Sequence, residues 1–323
     1  MPPPTTSSGG SDILLCEPVT DDNFDEEAYA LANPDVVDAA EGDASRIRGH
    51  FEAFGRHEHR IQLRKQALEA VEELRQVKLE RLGLTLPFVK VDFMGLPLTM
   101  ATSGDARLPV PFENLSAHDY DDDTIRLVQS EPDGLFVDVG AGLRRVYRHN
   151  VVNTEIAALP STDVLCFGDE LPFEEGSFDG AICLSVLEHV PDPWHTAQEV
   201  LRVVKSGGVV IVDWPFLQPV HGYPHHYFNA TEQGARETFE RLGCEVRSTV
   251  APHLHPIFTL HWLLHEWDTG LTGEARDEFR AMTVSALLAD PPIDHLQAPW
   301  AQALPPSKQA VIAAGTRLVV VKP

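Results

Sequence analysis

The chain has 323 residues, 43% hydrophobic and 23% charged, with a formal net charge of −24 at pH 7. This is an ordinary globular composition with room for a large core and no need of disulfide staples. The acidity sets the chain against phosphate backbones and anionic membrane surfaces, so neither nucleic acid nor membrane is an expected partner. No run of about 18 apolar residues is present, so no spanning helix is expected. The opening Met1-Pro2-Pro3-Pro4 lacks the basic and apolar regions of a signal peptide. The four cysteines, Cys16, Cys166, Cys183 and Cys244, form no Cys-x-x-Cys pair, which fits a reduced, cytoplasmic setting.

Residues 1–22 begin rich in Pro, Ser, Thr and Gly and read as a disordered tail. Residues 23–84 read as a helical module with a linker helix. Asn33-Pro34-Asp35 is a helix start, with Asn as the cap and Pro at the first position. Asp43 caps a second helix that places Ile47, Phe51 and Phe54 on one face and stops at Gly55. The run Phe24-Asp25-Glu26-Glu27-Ala28-Tyr29, with Asn33-Pro34-Asp35-Val36, His50-Phe51 and Phe54-Gly55-Arg56, resembles a short helical module found beside sugar-processing and methyltransferase domains in bacterial proteins. That resemblance implies a structural cap in preference to a docking device. A polar helix is predicted over 58–82. Its stripe of Ile61, Leu68, Val71, Leu74 and Leu82 suits packing on the core or, failing that, a homodimer seam.

Residues 85–323 are expected to form the main domain. Residues 84–111 are punctuated by Pro and Gly and suggest a hairpin. A helix should open near Asn114–Tyr120. From 135 onward strand and helix alternate, with strands near 135–139, 150–155, 163–167, 179–184 and 208–213. Helices are expected near 193–204 and 231–242. Asp192 caps the first of these, and Trp194, Ala197, Val200, Leu201 and Val204 form its buried stripe. Thr231 caps the second and Gly243 ends it. Such alternation predicts an α/β fold, a doubly wound, mostly parallel sheet with helices on both faces. Arg317-Leu318-Val319-Val320-Val321 reads as a closing edge strand.

The chemistry is concentrated at three places. Leu135-Phe136-Val137-Asp138-Val139-Gly140-Ala141-Gly142 is an apolar strand that ends in an acid and a Gly-x-Gly turn, where open α/β folds bind ligands. Glu155 ends the second strand, and an ionised carboxylate there accepts both hydroxyls of a ribose. Phe178-Asp179-Gly180-Ala181-Ile182-Cys183-Leu184-Ser185-Val186-Leu187-Glu188-His189-Val190 follows, then Leu201-Arg202-Val203-Val204-Lys205-Ser206-Gly207-Gly208. In this order and spacing the blocks resemble the core of class I, Rossmann-like S-adenosylmethionine-dependent methyltransferases. The resemblance covers roughly residues 112–323 and implies a seven-strand-type sheet with an antiparallel strand near the C-terminus.

The resemblance also implies roles. Asp138, Gly140, Ala141 and Gly142 would hold the methionine end of S-adenosylmethionine, Glu155 the ribose, and Gly168 with Asp169 the adenine. The family's usual adenine acid would fall at Phe167, so the backbone of Gly168 is the alternative to Asp169. Leu184 and Ser185 would face the sulfonium, and His118 and Tyr120 would either close over the cofactor or serve ordinary packing and capping. Glu188-His189 resembles the Leu-Glu-His signature and is read as packing. Arg145 stands where a nicotinamide fingerprint needs a third Gly, which disfavours an oxidoreductase.

Asp213 through Thr231 resembles a subgroup of bacterial methyltransferases linked to glycan or secondary-metabolite pathways. His221 and then His226 are the candidates for accepting a proton from the hydroxyl of a small-molecule substrate. The spacing does not suit a helical zinc pair and no metal is expected; Asp213 with a His is the one alternative. The remaining functional alternative is a non-catalytic S-adenosylmethionine-binding scaffold. The aromatics and histidines of 252–267 suggest a helical lid or core face.

Overall fold

The computed structural model describes residues 11–58, 60–111, 119–222, 224–289 and 292–314. The chain forms two compact units, 1–214 and 215–323, which part at 214/215 and not at the 84/85 boundary expected from sequence.

In the first unit, Ile13–Leu14 (β1) and Cys16–Pro18 (β2) lie in the stretch expected to be disordered. The Pro/Ser/Thr bias ends near Gly10, and the apolar Ile13-Leu14-Leu15-Cys16 behind it joins the core, where Leu15 and Cys16 are fully buried. Helices Glu26–Ala32 (α1), Pro34–Ala39 (α2) and Ala44–His50 (α3) follow. Asp25 and Asp43 cap α1 and α3 by accepting from backbone N–H groups. The Asn33 amide ties the start of α2 to its neighbours, donating to the carbonyls of Tyr29 and Ile61, both at 2.7 Å. Ile47 and Phe51 are buried as expected, but Phe54 is exposed. Residues Phe51–Gly55 form a π-helical turn, whose smaller rotation per residue carries Phe54 off the apolar face.

The helix predicted over 58–82 is shorter. Ile61–Leu63 is a strand (β3) paired antiparallel with β2, and the helix itself is Leu68–Arg81 (α4). Val71 of the stripe is buried in the core, as is Leu79 outside it, yet so are Arg75 and Lys78. Lys78 Nζ donates to the carbonyl of Val151 and to Asp163 Oδ2, both at 2.6 Å. Arg75 donates to the carbonyls of Thr99 and Pro160, and the Tyr147 hydroxyl donates to Asp163. Burial pushes the Lys78 ammonium down to about 8. The cluster fastens α4 to the start of the strands that follow.

The hairpin expected in 84–111 is present as Phe88–Phe93 (β4) and Leu96–Thr102 (β5), joined at Met94-Gly95 with both residues at positive φ, 48° and 88°. Asp122–Ser130 (α5) begins at Asp121, whose side chain caps it; the expected start at Asn114 and the candidate His118 lie outside the described residues. Then come Phe136–Val139 (β6), Val146–Tyr147 (β7), Val151–Glu155 (β8), Val164–Leu165 (β9), Phe178–Leu184 (β10), Pro193–Arg202 (α6) and Val204–Asp213 (β11). The sheet order is β11-β10-β6-β8-β9-β5-β4, parallel throughout except for β4 against β5. The antiparallel strand of this sheet therefore comes from the N-terminal hairpin. The expected closing strand Arg317–Val321 lies outside the described residues.

Residues 140–150 and 156–163 connect parallel neighbours without a helix, in fewer than the roughly dozen residues a helical crossover takes. The N-terminal region compensates. Leu79 of α4 joins Val137, Val139 and Val152 on one face of the sheet, with Val200 of α6 and Val203 just after it. On the other face, Val128 of α5 packs on Phe136, Val151 and Ile182. In place of the first crossover helix, β7 pairs antiparallel with β1. Trp194 of the predicted α6 stripe is exposed, while Ala197 and Val200 are buried.

The second unit is helical among its described residues. It comprises Glu232–Glu240 (α7), Pro256–Gly270 (α8), Gly273–Ala281 (α9), Val284–Ala289 (α10), Pro299–Gln302 (α11) and Pro306–Ile312 (α12). Thr231 caps α7 as predicted. The aromatics of 252–267 contribute to a core: Trp267 packs against Phe279 and Trp300, beside buried Leu271 and Leu304.

Candidate active site

The carboxyl end of β6 delivers the chain to the turn Gly140-Ala141-Gly142. Gly140 and Gly142 have φ of 67° and 61°, the left-handed region that glycine occupies without cost. A Cβ on Gly140 would lie 2.6 Å from Val186 Cγ2, so the turn is also pressed against the end of β10. The turn is stitched to β8: Ala141 N–H donates to the carbonyl of Thr154 at 3.0 Å, and Gly142 N–H donates to Glu155 Oε2 at 2.9 Å. Glu155 Oε1 accepts from the N–H of Ile156 at 2.8 Å. Burial raises the Glu155 carboxyl, and the backbone N–H groups of Gly142, Ile156 and Ala157 oppose that rise.

Asp138, fully buried, receives on Oδ2 the Nε–H of Arg144 at 2.8 Å and the hydroxyl of Tyr120. Its Oδ1 is buried with no hydrogen-bond partner among the described residues. Arg144 stacks on Tyr120, its guanidinium carbon 4.5 Å from the ring centroid. Sequence reasoning singled out Tyr120 but not Arg144, which in Leu143-Arg144-Arg145-Val146-Tyr147 is not distinguishable from its neighbour Arg145 until the fold buries it against Asp138.

Along β10, Leu184 pairs in register with Asp213 of β11. Ser185 follows at φ 56°, a strained conformation for a residue with a Cβ, and its N–H donates to the carbonyl of Asp213 at 2.9 Å. Three residues on, Glu188 is fully buried, and neither of its oxygens has a hydrogen-bond partner among the described residues. Burial first, and then the charge of Asp213, push its carboxyl up to about 8. Gly168 packs tightly between Val139 and Thr196: a Cβ there would lie 3.2 and 3.3 Å from their methyl groups. Asp169 beside it is half-buried. The structure thus gathers Asp138, Gly140, Ala141, Gly142 and Glu155 through direct hydrogen bonds between their elements. Val186, two residues beyond Leu184, presses on the Gly140 turn, while Gly168 adjoins the group through Val139.

His221 and His226 belong to the second unit. His226 Nδ1 accepts from the backbone N–H of His221 at 3.1 Å, and its Nε2 lies 2.7 Å from Asn229 Oδ1. That pairing makes Nε2 the donor. His221 Nδ1 lies 2.9 Å from the carbonyl of Pro219, so Nδ1 carries the proton and the basic lone pair is on Nε2. Burial lowers the His221 pKa, which keeps the ring neutral at physiological pH.

Residues 136–212 match the family described as a methyltransferase domain. An uncharacterized methyltransferase of Mycobacterium sp. (strain KMS) is 37% identical over 75 residues, 22% of this chain and 30% of that protein. One of Mycobacterium tuberculosis (strain H37Rv) is 37% identical over 81 residues, 24% of this chain and 32% of that protein. The chain thus spans about a third of the length of these curated relatives. A Thermotoga maritima structure described as a SAM-dependent methyltransferase, possible histamine N-methyltransferase, is 19% identical, with 41% of this chain and 77% of that one covered at a TM-score of 0.30. No helix among the described residues is long and apolar enough to cross a membrane. The match to the methyltransferase-domain family falls on the segment that holds the glycine turn and the parallel strands β6, β8, β9, β10 and β11.

Proposed function

We propose that the chain transfers a methyl group from S-adenosylmethionine to a hydroxyl of a small molecule, a sugar or a secondary metabolite, as a cytoplasmic O-methyltransferase of the glycan-associated bacterial subgroup. The observation that carries the reading is the bond from Gly142 N–H to Glu155 Oε2, which locks a ligand-binding turn to a carboxylate one strand away. The residues suit the cofactor. Asp138 Oδ1, a buried acceptor without a partner among the described residues, matches an ammonium. The Glu155 carboxylate, with backbone donors in Gly142, Ile156 and Ala157, retains one of its roughly four acceptor sites for a ribose hydroxyl. The cofactor supplies an activated methyl carbon open to in-line attack by the acceptor oxygen.

The protein's share is alignment, exclusion of water and removal of one proton. Gly140–Gly142 fixes the approach of the backbone, and the strained Ser185 turn shapes the floor at the end of β10. For the proton, the chain offers Nε2 of neutral His221, eight residues beyond β11. His226, with both ring nitrogens engaged, positions the His221 backbone. Purified protein should methylate members of a panel of sugars and polyhydroxylated metabolites when given labelled S-adenosylmethionine. Binding of the cofactor without turnover on any hydroxyl acceptor would favour the scaffold role instead.

A further inference from the structure

The second unit leaves its longest helix half covered. Over its first half α8 is apolar on every side: Ile257, Phe258, Leu260, Trp262, Leu263 and Leu264 are interrupted only by Thr259 and His261. A helix of that kind belongs inside a structure. One side of α8 is held. Trp267 packs on Phe279 and Trp300, Glu266 pairs with Lys308 at 2.5 Å, and Asp268 receives Arg276 at 2.7 Å and Arg280 at 2.6 Å. The other side is open. Ile257, Leu260 and Leu264, at i, i+3 and i+7, are 55%, 53% and 44% exposed, and Phe258 beside them is 56% exposed. His261 and His265 are exposed on the adjoining row, with ring planes 7° apart. The anchored side thus presents a fixed apolar stripe that no described residue covers.

The chemistry of the stripe selects its partner. From Pro256 to His265 there is no Asp, Glu, Lys or Arg, in a chain of net charge −24. A basic partner finds no carboxylate here, and an anionic membrane surface is repelled by the chain as a whole. Two copies of so acidic a chain also repel one another, except where one charge-free face meets another. The pattern is self-complementary. About a two-fold axis between Leu260 and His261, Ile257 of one copy would lie against Leu264 of the other, and the reverse, as an isologous contact requires. Side chains of this size and exposure leave about 100 Å² each open to solvent. With the imidazoles beside them, two copies would bury about 1,000–1,200 Å² in total, the lower range for a specific interface. The α4 stripe, which suggested a dimer seam from sequence, is committed to the core instead: Val71 is buried there, and Leu68 and Leu74 pack on the same cluster.

We propose that the chain forms a two-fold homodimer through the Ile257–Leu264 face of α8. The inference stands independently of the methyl-transfer reading. Analytical ultracentrifugation of the full chain between about 1 and 100 µM, a range suited to an interface of this size, tests it. Wild type should pass from the mass of one chain to that of two. Leu260→Glu places a carboxylate beside its symmetry mate and should weaken the dimer by about tenfold or more. Leu260→Glu combined with Leu264→Glu should leave only monomer, with a melting temperature matching that of monomeric wild type. A crosslink gives a second readout. Of the four cysteines only Cys244 is not buried. In a Cys244→Ser background, Leu260→Cys should form an interchain disulfide under mild oxidation, faster than Leu288→Cys, a position on α10 that is 76% exposed. The proposal is overturned if wild type stays monomeric over the whole range, the result also expected if the face is covered within one chain or by a different protein. It is equally overturned if the folded double variant dimerises as wild type does, which would put the seam elsewhere. If the glutamate variants do not fold, the cysteines decide: a disulfide no faster at 260 than at 288 overturns it.

Discussion

Replacing Glu188 with Gln should make the protein more stable, and increasingly so as pH rises. The carboxyl is fully buried, its oxygens have no hydrogen-bond partner among the described residues, and His189 Nε2 stands 3.8 Å from Oε1. Burial and Asp213 raise its pKa from 4.5 to about 8. In the folded chain the group therefore keeps its proton between these values, where the unfolded chain has released it. The stability this contributes is complete below pH 4.5 and is lost as pH rises through about 8. At about 1.4 kcal/mol per tenfold change in proton affinity, the loss is on the order of 5 kcal/mol. Gln keeps the shape and stays neutral, so Glu188→Gln escapes that loss. Melting curves of both proteins at pH 5, 7 and 8.5 should diverge steadily, by roughly 10 °C or more at the top of the range. A gap that does not change with pH, or a variant less stable than wild type at pH 8.5, would refute the reasoning and mean that Glu188 is ionised and solvated in the folded protein.

Lys78→Met should cost about 3–5 kcal/mol in urea unfolding, because it strips Asp163 of its closest buried cation. Gly140→Ala forces a Cβ to within 2.6 Å of Val186 at a φ of 67°. It should destabilise by about 1–3 kcal/mol in the same assay and weaken S-adenosylhomocysteine binding. His221→Ala should lower kcat by about 10²–10⁴ with little change in melting temperature; retention of full turnover would remove His221 from the role of base.

Much of the fold was legible because apolar runs and caps act locally. The strand near 135–139, the Asp192 and Thr231 caps and a hairpin within 84–111 were all readable from short patterns. What was not legible depended on partners far along the chain. Lys78 and Arg75 look like solvated helix residues until Asp163, 85 positions after Lys78, is folded beneath them. Ile61–Leu63 continues a helical stripe in sequence but finds a strand partner in Cys16–Pro18. The same holds for the site. Glu155 and the glycine turn were visible from their places at strand ends, whereas Arg144 as the counter-ion of Asp138 required the tertiary pairing. The Leu-Glu-His signature suggested packing and gave no sign that Glu188 would be buried without a hydrogen bond.

The claim on which the account turns is that the Gly140–Gly142 turn and Glu155 together seat the donor nucleoside. Titration of S-adenosylhomocysteine into the folded protein, beside Glu155→Gln, tests it most directly. Wild type should bind at one site, and the variant about ten to a hundredfold more weakly, the loss of a charged acceptor for the ribose hydroxyls. A folded wild-type protein that takes up neither S-adenosylmethionine nor S-adenosylhomocysteine, or a Glu155→Gln protein that binds as tightly as wild type, would contradict it.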